Sequence, residues 1–482
     1  MTLRTIPPEV SGQYLAKAAG TLPNGSPVIV NSDGTVSAVV ESVIPQTIGS
    51  ATTFESASSL GIAAAYDTLN DKVVVVYRDG GNTSYLTAVV GTVSGTSISF
   101  GTPVVVASVE QYDTPAVSFD AVAGKFVIAY TNASYYGAAI VGTVSGTSIT
   151  FGASSVFDTT IFILESVSCV FDSIANKTVI AYRGASGYGK AVVATISGTS
   201  VSFGAIATFE SASIDKTAMA FSTVSGKIAI VYTDQGNSNS ATAVVGTVSG
   251  TSISFGTPVV ITSLTSSFYA VAYDSSNEKI VVACNVGGTP QGTAFVGTIS
   301  GTSISFGSPV VYEAGTSNYN SVIFNQDAGK VVVSYTDVAN SSYGTFSVGT
   351  VSGDTISFST PVVFVSDGAT LISSVFDPDT GGIVVAYRAG STNFGNAQVV
   401  QITYSATNIT AENYIGLSSG GTVASGSTAR VDIVGAESTS QSGLTIGQQY
   451  YVQSDGSLGT TPDTPSVLAG TATSATTILV KA

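Results

Sequence analysis

The chain has 482 residues, of which 44% are hydrophobic and only 9% charged, with thirty acidic against fifteen basic residues and a formal charge of −15. Histidine and tryptophan are absent, which removes histidine acid–base chemistry, the Ser-His-Asp triad and nearly every zinc site. No block of Lys and Arg offers the phosphate-neutralising cluster that nucleic acid requires. Solvation falls to Ser, Thr, Asn and Gly, which suits a rigid β-protein.

In chain order, the start "MTLRTIPPEVSGQYLAKAAG" has no signal-peptide-like apolar stretch, and no run of eighteen apolar residues follows anywhere. The expectation is a protein assembled in a cytoplasm, without membrane insertion. Residues 21–36, "TLPNGSPVIVNSDGTV", read as a β-hairpin turning at Asp33-Gly34. From residue 46 the chain becomes periodic. In 60–108, "LGIAAAYD", "KVVVVYRD", "YLTAVVGTV" and "SISFGTPVVV" are four strands rich in Val, Ile, Tyr and Phe, separated by Gly/Ser/Asn breaks. The second is apolar on both faces, as in a strand packed between sheets.

"GTVSGTSISFG" (91–101) returns at 142–152, 246–256, 297–307 and 349–358, with a looser "ATISGTSVSFG" at 194–204. Its first residues lie 51, 52, 52, 51 and 52 positions apart. A four-stranded unit at such a period is the mark of a propeller blade, with the Ser-Gly dipeptide as a tight turn between third and fourth strands. First hairpins, marked by an aromatic residue and usually a lysine, number seven: Tyr66/Lys72, Phe119/Lys125, Phe171/Lys177, Phe221/Lys227, Tyr273/Lys279, Phe324/Lys330 and Phe376, where Gly382 replaces the lysine. Only six fourth strands follow them. Residues 53–58, "TFESAS", repeat 208–213, so an N-terminal strand is expected to supply the missing edge and close the ring. The fold class is thus all-β: a seven-bladed propeller of four-stranded blades over 46–404, flanked by an N-terminal β segment (1–45) and a C-terminal β domain (405–482).

The C-terminal stretch 443–458, "GLTIGQQYYVQSDGSL", mirrors 21–36, with Gly447 and Gly456 spaced like Gly25 and Gly34. The two ends are therefore expected to form one composite domain or a related pair, with the propeller as an insertion. These flanks, above all "GLTIGQQYYVQSDG" and "PSVLAGTATSATTILVK", resemble segments of marine bacteriophage (cyanophage-type) virion structural and tail-fibre-like proteins. The resemblance covers about 120 terminal residues. It implies a virion component that assembles with other virion proteins and with copies of itself, and it offers no catalytic residues.

Three patterns invite a site. Carboxylates after the fourth strands, at Glu55, Asp158, Glu210 and Glu313, form a ring that could hold a hard cation, although solvation of a charge-poor surface explains them more simply. The Tyr-Arg pairs at Tyr77, Tyr182 and Tyr387 evoke sialidases, but arginines in distant blades do not converge. The loops between second and third strands hold Tyr85, Tyr135, Tyr136, Tyr188, Tyr343 and Phe394 among Gly, Ser and Asn, the composition binding loops favour. These six are the expected contact residues for a host cell-surface glycan or protein. No cofactor, metal or catalytic residue is expected. Cys169 and Cys284 are expected to be buried free thiols. The reading is a non-enzymatic virion structural protein with an adhesive propeller; a carbohydrate-active propeller enzyme or a free lectin is the alternative.

Overall fold

The computed structural model describes residues 12–110, 114–160, 166–288, 290–463 and 465–481. Its contacts fall into two units, Gln46–Ile402 and the combined Met1–Pro45 and Thr403–Ala482. The boundary lies two residues before 404, because Tyr404 pairs with Ile44.

Gln46–Ile402 is a β-propeller. Among the described residues its strands fall into seven antiparallel groups, here called blades 1 to 7, three of which are joined into one continuous sheet. In blade 1 these are Ser59–Asp67, Lys72–Asp79 and Tyr85–Ser94, and then a fourth strand in two pieces, Ser97–Phe100 and Val104–Glu110, both on the third. The interruption differs from the continuous strand expected. It falls at Gly101-Thr102-Pro103, where proline has no N–H to give the ladder. Two strands, Ala207–Ser222 and Val259–Asp274, run through from the outer edge of one blade into the innermost strand of the next.

The innermost strands contact one another in cyclic order, from Ser59–Asp67 through to Ala369–Phe376 and back to Ser59–Asp67. The closing strand is N-terminal. Thr47–Ile48 and Thr52–Glu55 both pair with Gly395–Gln401, the third strand of blade 7. The second strands form the core: Val73 to Tyr77 are all fully buried, as are Ile228 to Tyr232.

The aromatic-Asp-Lys marker of each first hairpin has a physical cause. Asp67, Asp120, Asp172, Asp274 and Asp377 are buried, and each accepts two backbone N–H groups of its own turn. The turn then needs a positive φ just before the lysine, met by Asp71 at 53°, Gly124 at 63° and Asn176 at 53°.

The recurrent eleven residues are decoded by three contacts. Gly95 and its five equivalents have φ between 57° and 62°, at the first central position of a two-residue turn. The first glycine makes room for the fourth strand: a Cβ on Gly142 would stand 2.9 Å from Ile149 Cδ1. The one copy with alanine there, Ala194, pairs with Phe203 and has Val201, which has no Cδ1, two residues along in place of the isoleucine. The last glycine meets the next blade, since a Cβ on Gly101, Gly152, Gly204, Gly256 or Gly307 would fall on the backbone carbonyl of Thr147, Thr199, Thr251, Thr302 or Asp354. Blade 6 has Ser359 at that place. Its neighbour, blade 7, has no such turn, because the chain there passes out at Ile402 and returns at Gln46.

Among the described residues the second unit holds a two-stranded ribbon of Glu41–Ile44 with Tyr404–Thr407 and two five-stranded sheets. One has the order Gln13–Lys17, Thr428–Asp432, Tyr414–Ser419, Pro27–Val30, Val36–Ala38; the other has Glu437–Ser438, Ile478–Val480, Val467–Ala472, Gln449–Val452, Leu458–Gly459. Their pairing corresponds in detail. Val28 faces Gly416 and Tyr450 faces Gly470, and a register shift follows at each. Gly34 and Gly456, in the two Asp-Gly turns, share φ of 82°. A common core joins Ile29, Tyr414 and Leu417 to Tyr450, Val467 and Ile478. In the second copy the hairpin is linked to the next strand by 460–466. In the first copy the whole propeller occupies that link, leaving and returning where Val40 N donates to Asn408 Oδ1 at 2.9 Å.

Among the described residues no helix is long and apolar enough to cross a membrane. Cys284 is buried, whereas Cys169 is only half-buried because it lies on an innermost strand with one open face; neither is in a disulfide. Burial raises both thiol pKa values, that of Cys284 to about 12.

Candidate functional site

The loops between second and third strands share one face of the ring with the blade-to-blade connections. Gly80 N donates to Ser58 O, Gly390 N to Asp367 O and Val338 N to Thr316 O, each bond joining one kind of segment to the other. All six aromatic residues singled out from the sequence lie on this face. Tyr85, Tyr188 and Tyr343 open third strands, Phe394 stands just before one, and Tyr135 and Tyr136 sit in the loop after Thr131. Tyr135 is 42% exposed and Tyr188 40%.

The ring brings two of the six together and keeps the rest apart. Tyr85 and Tyr135 line one groove of about 370 Å³ between blades 1 and 2, with Thr83, Ser108, Asn132 and Ala133. Asn132 builds the wall: its Oδ1 accepts the backbone N–H of Ser134 and of Tyr136 at 2.9 and 3.0 Å. Tyr135, between these two bonds, has φ 60°, and Thr83 across the groove has 55°, conformations that cost non-glycine residues about 1–3 kcal/mol and persist only where surroundings enforce them. Tyr188, Tyr343 and Phe394 belong to blades 3, 6 and 7 and do not join this groove.

A second cavity on the same face was not legible from the loops. It lies on the ring axis, has about 280 Å³, and takes lining residues from every blade, among them Ile62, Thr114, Ser166, Thr217, Phe268, Tyr319, Asn320 and Leu371. A bulge near the start of five innermost strands makes it. The bulged residues Gly61, Lys216, Phe268, Tyr319 and Leu371 have φ between 44° and 55°. Only one of these is glycine, so four blades keep a side chain in a strained backbone at the mouth of the axis. No Asp or Glu lines the cavity among the described residues. The signal for this site was present in the sequence: the copies of the first strand diverge here while staying alike at the aromatic-Asp end.

The carboxylates expected to solvate the surface do something else. Each is turned toward the buried tyrosine of the next blade's second strand: Tyr77 donates to Glu55 at 3.1 Å, Tyr182 to Asp158 at 2.9 Å, Tyr232 to Glu210 at 3.1 Å and Tyr335 to Glu313 at 3.0 Å. Their other oxygens accept backbone N–H groups of Ala57, Ala212 and Gly315. They are links between blades, and a ring at successive interfaces does not converge on one ion. Burial, and then the facing Glu55, Glu210 or Glu313, raises the carboxyl pKa of Asp79, Asp234 and Asp337. Burial pushes Asp158 up too, but hydrogen bonds from Thr160, Tyr182 and Lys190 outweigh it and leave this carboxyl below its usual range. The Tyr-Arg tyrosines are core residues: Tyr77, Tyr182 and Tyr387 are fully buried.

The sequence matches no protein-family model and no curated protein. Among solved structures, the SapL1 lectin in complex with alpha methyl fucoside is similar over 64% of this chain and 97% of its own, at 14% identity and a TM-score of 0.40. The β-propeller domain of Myceliophteria thermophila Cps50 (Swd1) is similar over 72% of this chain and 99% of its own, at 10% identity and a TM-score of 0.48.

Proposed function

We propose that this chain is a non-enzymatic bacteriophage virion structural protein, tail-fibre-like or a head-surface appendage, whose propeller adheres to a host-surface glycan or a partner virion protein. In this reading the unit built from the chain ends drives assembly, with other virion proteins and with copies of itself. The flanking segments support the virion assignment through their resemblance to phage structural proteins.

The observation that carries the adhesive role is the Tyr85–Tyr135 groove. It stands on the face where blade copies differ, and the opposite face is built from near-identical turns with little to discriminate one ligand from another. Tyrosine supplies rigid amphipathic contact at low entropic cost, so two tyrosines facing a groove suit a saccharide or peptide. A carbohydrate-cleaving reading would need two carboxylates about 5–9.5 Å apart over a bound sugar, and the described lining of neither cavity contains an Asp or Glu.

The test is adhesion of the purified chain to host cells. Replacing Tyr85 and Tyr135 with Ser is expected to weaken binding with the melting temperature held. Unchanged adhesion, or loss only when the Ser-Gly turns are altered, overturns the assignment of the face.

A further inference from the structure

The axial cavity is separate from the rim groove and has features of a built site. Asn320 is 8% exposed and lines it, and its Nδ2 donates to the Phe268 carbonyl at 2.9 Å. Among the described residues its Oδ1 has no hydrogen-bond partner, and neither has the buried Ser166 hydroxyl on the opposite part of the wall. A buried polar atom left unmatched is costly, so turning it onto a ligand hydroxyl is favoured. Beside Asn320, the rings of Phe268 and Tyr319 meet at 5.0 Å with their planes 59° apart. Both residues are half-buried and both hold positive φ. An aromatic corner with an amide acceptor and hydroxyl neighbours (Thr114, Thr217) fits a molecule with one apolar face and a rim of hydroxyl groups.

From this geometry we infer that the axial cavity binds a single neutral pyranose, the end residue of a glycan. The ring's C–H face would lie on the aromatic pair, and the Asn320 and Ser166 side chains, whose unpartnered oxygens are shielded, would turn to meet its hydroxyls. The volume of about 280 Å³ admits one ring, lying just under the roughly 300–1,000 Å³ of sites for larger ligands. Charge favours a neutral sugar. Among the described lining residues the one cation is Lys216, which already has Asp215 at 3.7 Å, so the pair leaves no net charge for an acidic ligand. This inference goes beyond the adhesive role of the rim and uses none of its tyrosines.

The experiment titrates the full-length chain with methyl glucoside, methyl galactoside, N-acetylglucosamine and glucuronate, read by saturation-transfer NMR and by tyrosine fluorescence. At least one neutral sugar is expected to bind saturably. Phe268→Gly and Tyr319→Gly remove a ring and also relieve a positive φ, so both are expected to fold, and each is expected to weaken binding on the order of tenfold. Asn320→Leu serves as a third variant that keeps the volume and removes the acceptor. The rim variant Tyr85→Ser/Tyr135→Ser is titrated in parallel: sugar binding lost there while the three cavity variants keep it would assign the sugar to the rim groove and overturn the inference. Absence of saturable binding by any neutral sugar, binding of glucuronate alone, or equal affinity in wild type and all three cavity variants overturns the inference.

Discussion

The phenol of Tyr232 donates to Glu210 Oε2 at 3.1 Å, and the two residues belong to different blades. The same link joins Tyr77 to Glu55, which tethers the N-terminal closing strand to blade 1. Truncating Glu210 to Ala would leave a buried phenol unmatched, at a cost of about 1–3 kcal/mol. Tyr232→Phe removes the donor and leaves a carboxylate that still holds Ala212 N, so about 1 kcal/mol is expected. The double variant is expected to fall short of the sum, because the two share one bond. Urea-midpoint shifts read all three.

Alkaline pH acts on the same tyrosines. Burial, followed by the neighbouring carboxylate, raises Tyr77, Tyr182 and Tyr232 above the ordinary value of 10. Burial with Asp367 nearby, partly offset by the hydrogen bond with Asn396, takes Tyr387 to about 12. The folded chain thus holds these protons more tightly than the unfolded chain, so their contribution is complete below pH 10 and is lost as pH rises beyond it. The melting temperature is expected to decline above pH 10, with tyrosinate absorbance from these groups appearing only alongside unfolding. Stepwise ionisation in a chain that stays folded at pH 11 would contradict this.

Gly204→Ala and Ser359→Gly make a contrasting pair at equivalent positions. The added methyl at 204 collides with the Thr251 carbonyl, a backbone atom that cannot swing aside. Overpacking of this kind costs about 1–3 kcal/mol, and more where backbone must move. The serine at 359 has no such turn opposite it, and its replacement is expected to shift stability by under about 1 kcal/mol. Thermal melts of the two variants decide the matter, and equal losses would refute the turn-packing account.

The chain contains a natural solution to its own steric problem. Ala194 stands with Val201 where the other copies have glycine with isoleucine, or glycine with Ile253 in blade 4. Gly246→Ala is therefore expected to destabilise by about 1–3 kcal/mol, since its Cβ would lie 2.9 Å from Ile253 Cδ1. Adding Ile253→Val is expected to restore part of that loss, giving a favourable coupling in a double-mutant cycle. A purely additive result would show that the pairing in blade 3 is incidental.

Much of the propeller was legible because its devices are repeated. One turn glycine, one capping carboxylate and one alternating strand recur at a fixed spacing, and repetition turns weak local signals into a strong one. The closing strand was legible for the same reason, through "TFESAS". What escaped was whatever depends on a neighbour in space. Glu55 and Glu210 read as surface charges because the tyrosines they serve, Tyr77 and Tyr232, are 22 residues away and in the next blade. Phe268 and Tyr319 were not singled out because the bulge that turns them toward the axis shows in the sequence only as divergence among the first-strand copies. Tyr85 and Tyr135 were singled out separately, and only the curvature of the ring makes them share a groove.

The paired sheets of the second unit carry an evolutionary and practical consequence. One copy bridges its hairpin to the next strand with 460–466, and the other hosts an entire ring there, its ends held by Asn408 against Val40. That link is therefore a socket: the frame requires only that whatever fills it should start and finish at adjacent points. The second sheet has a short link at the matching place after Leu458–Gly459, a natural place to graft a foreign module that brings its own termini together.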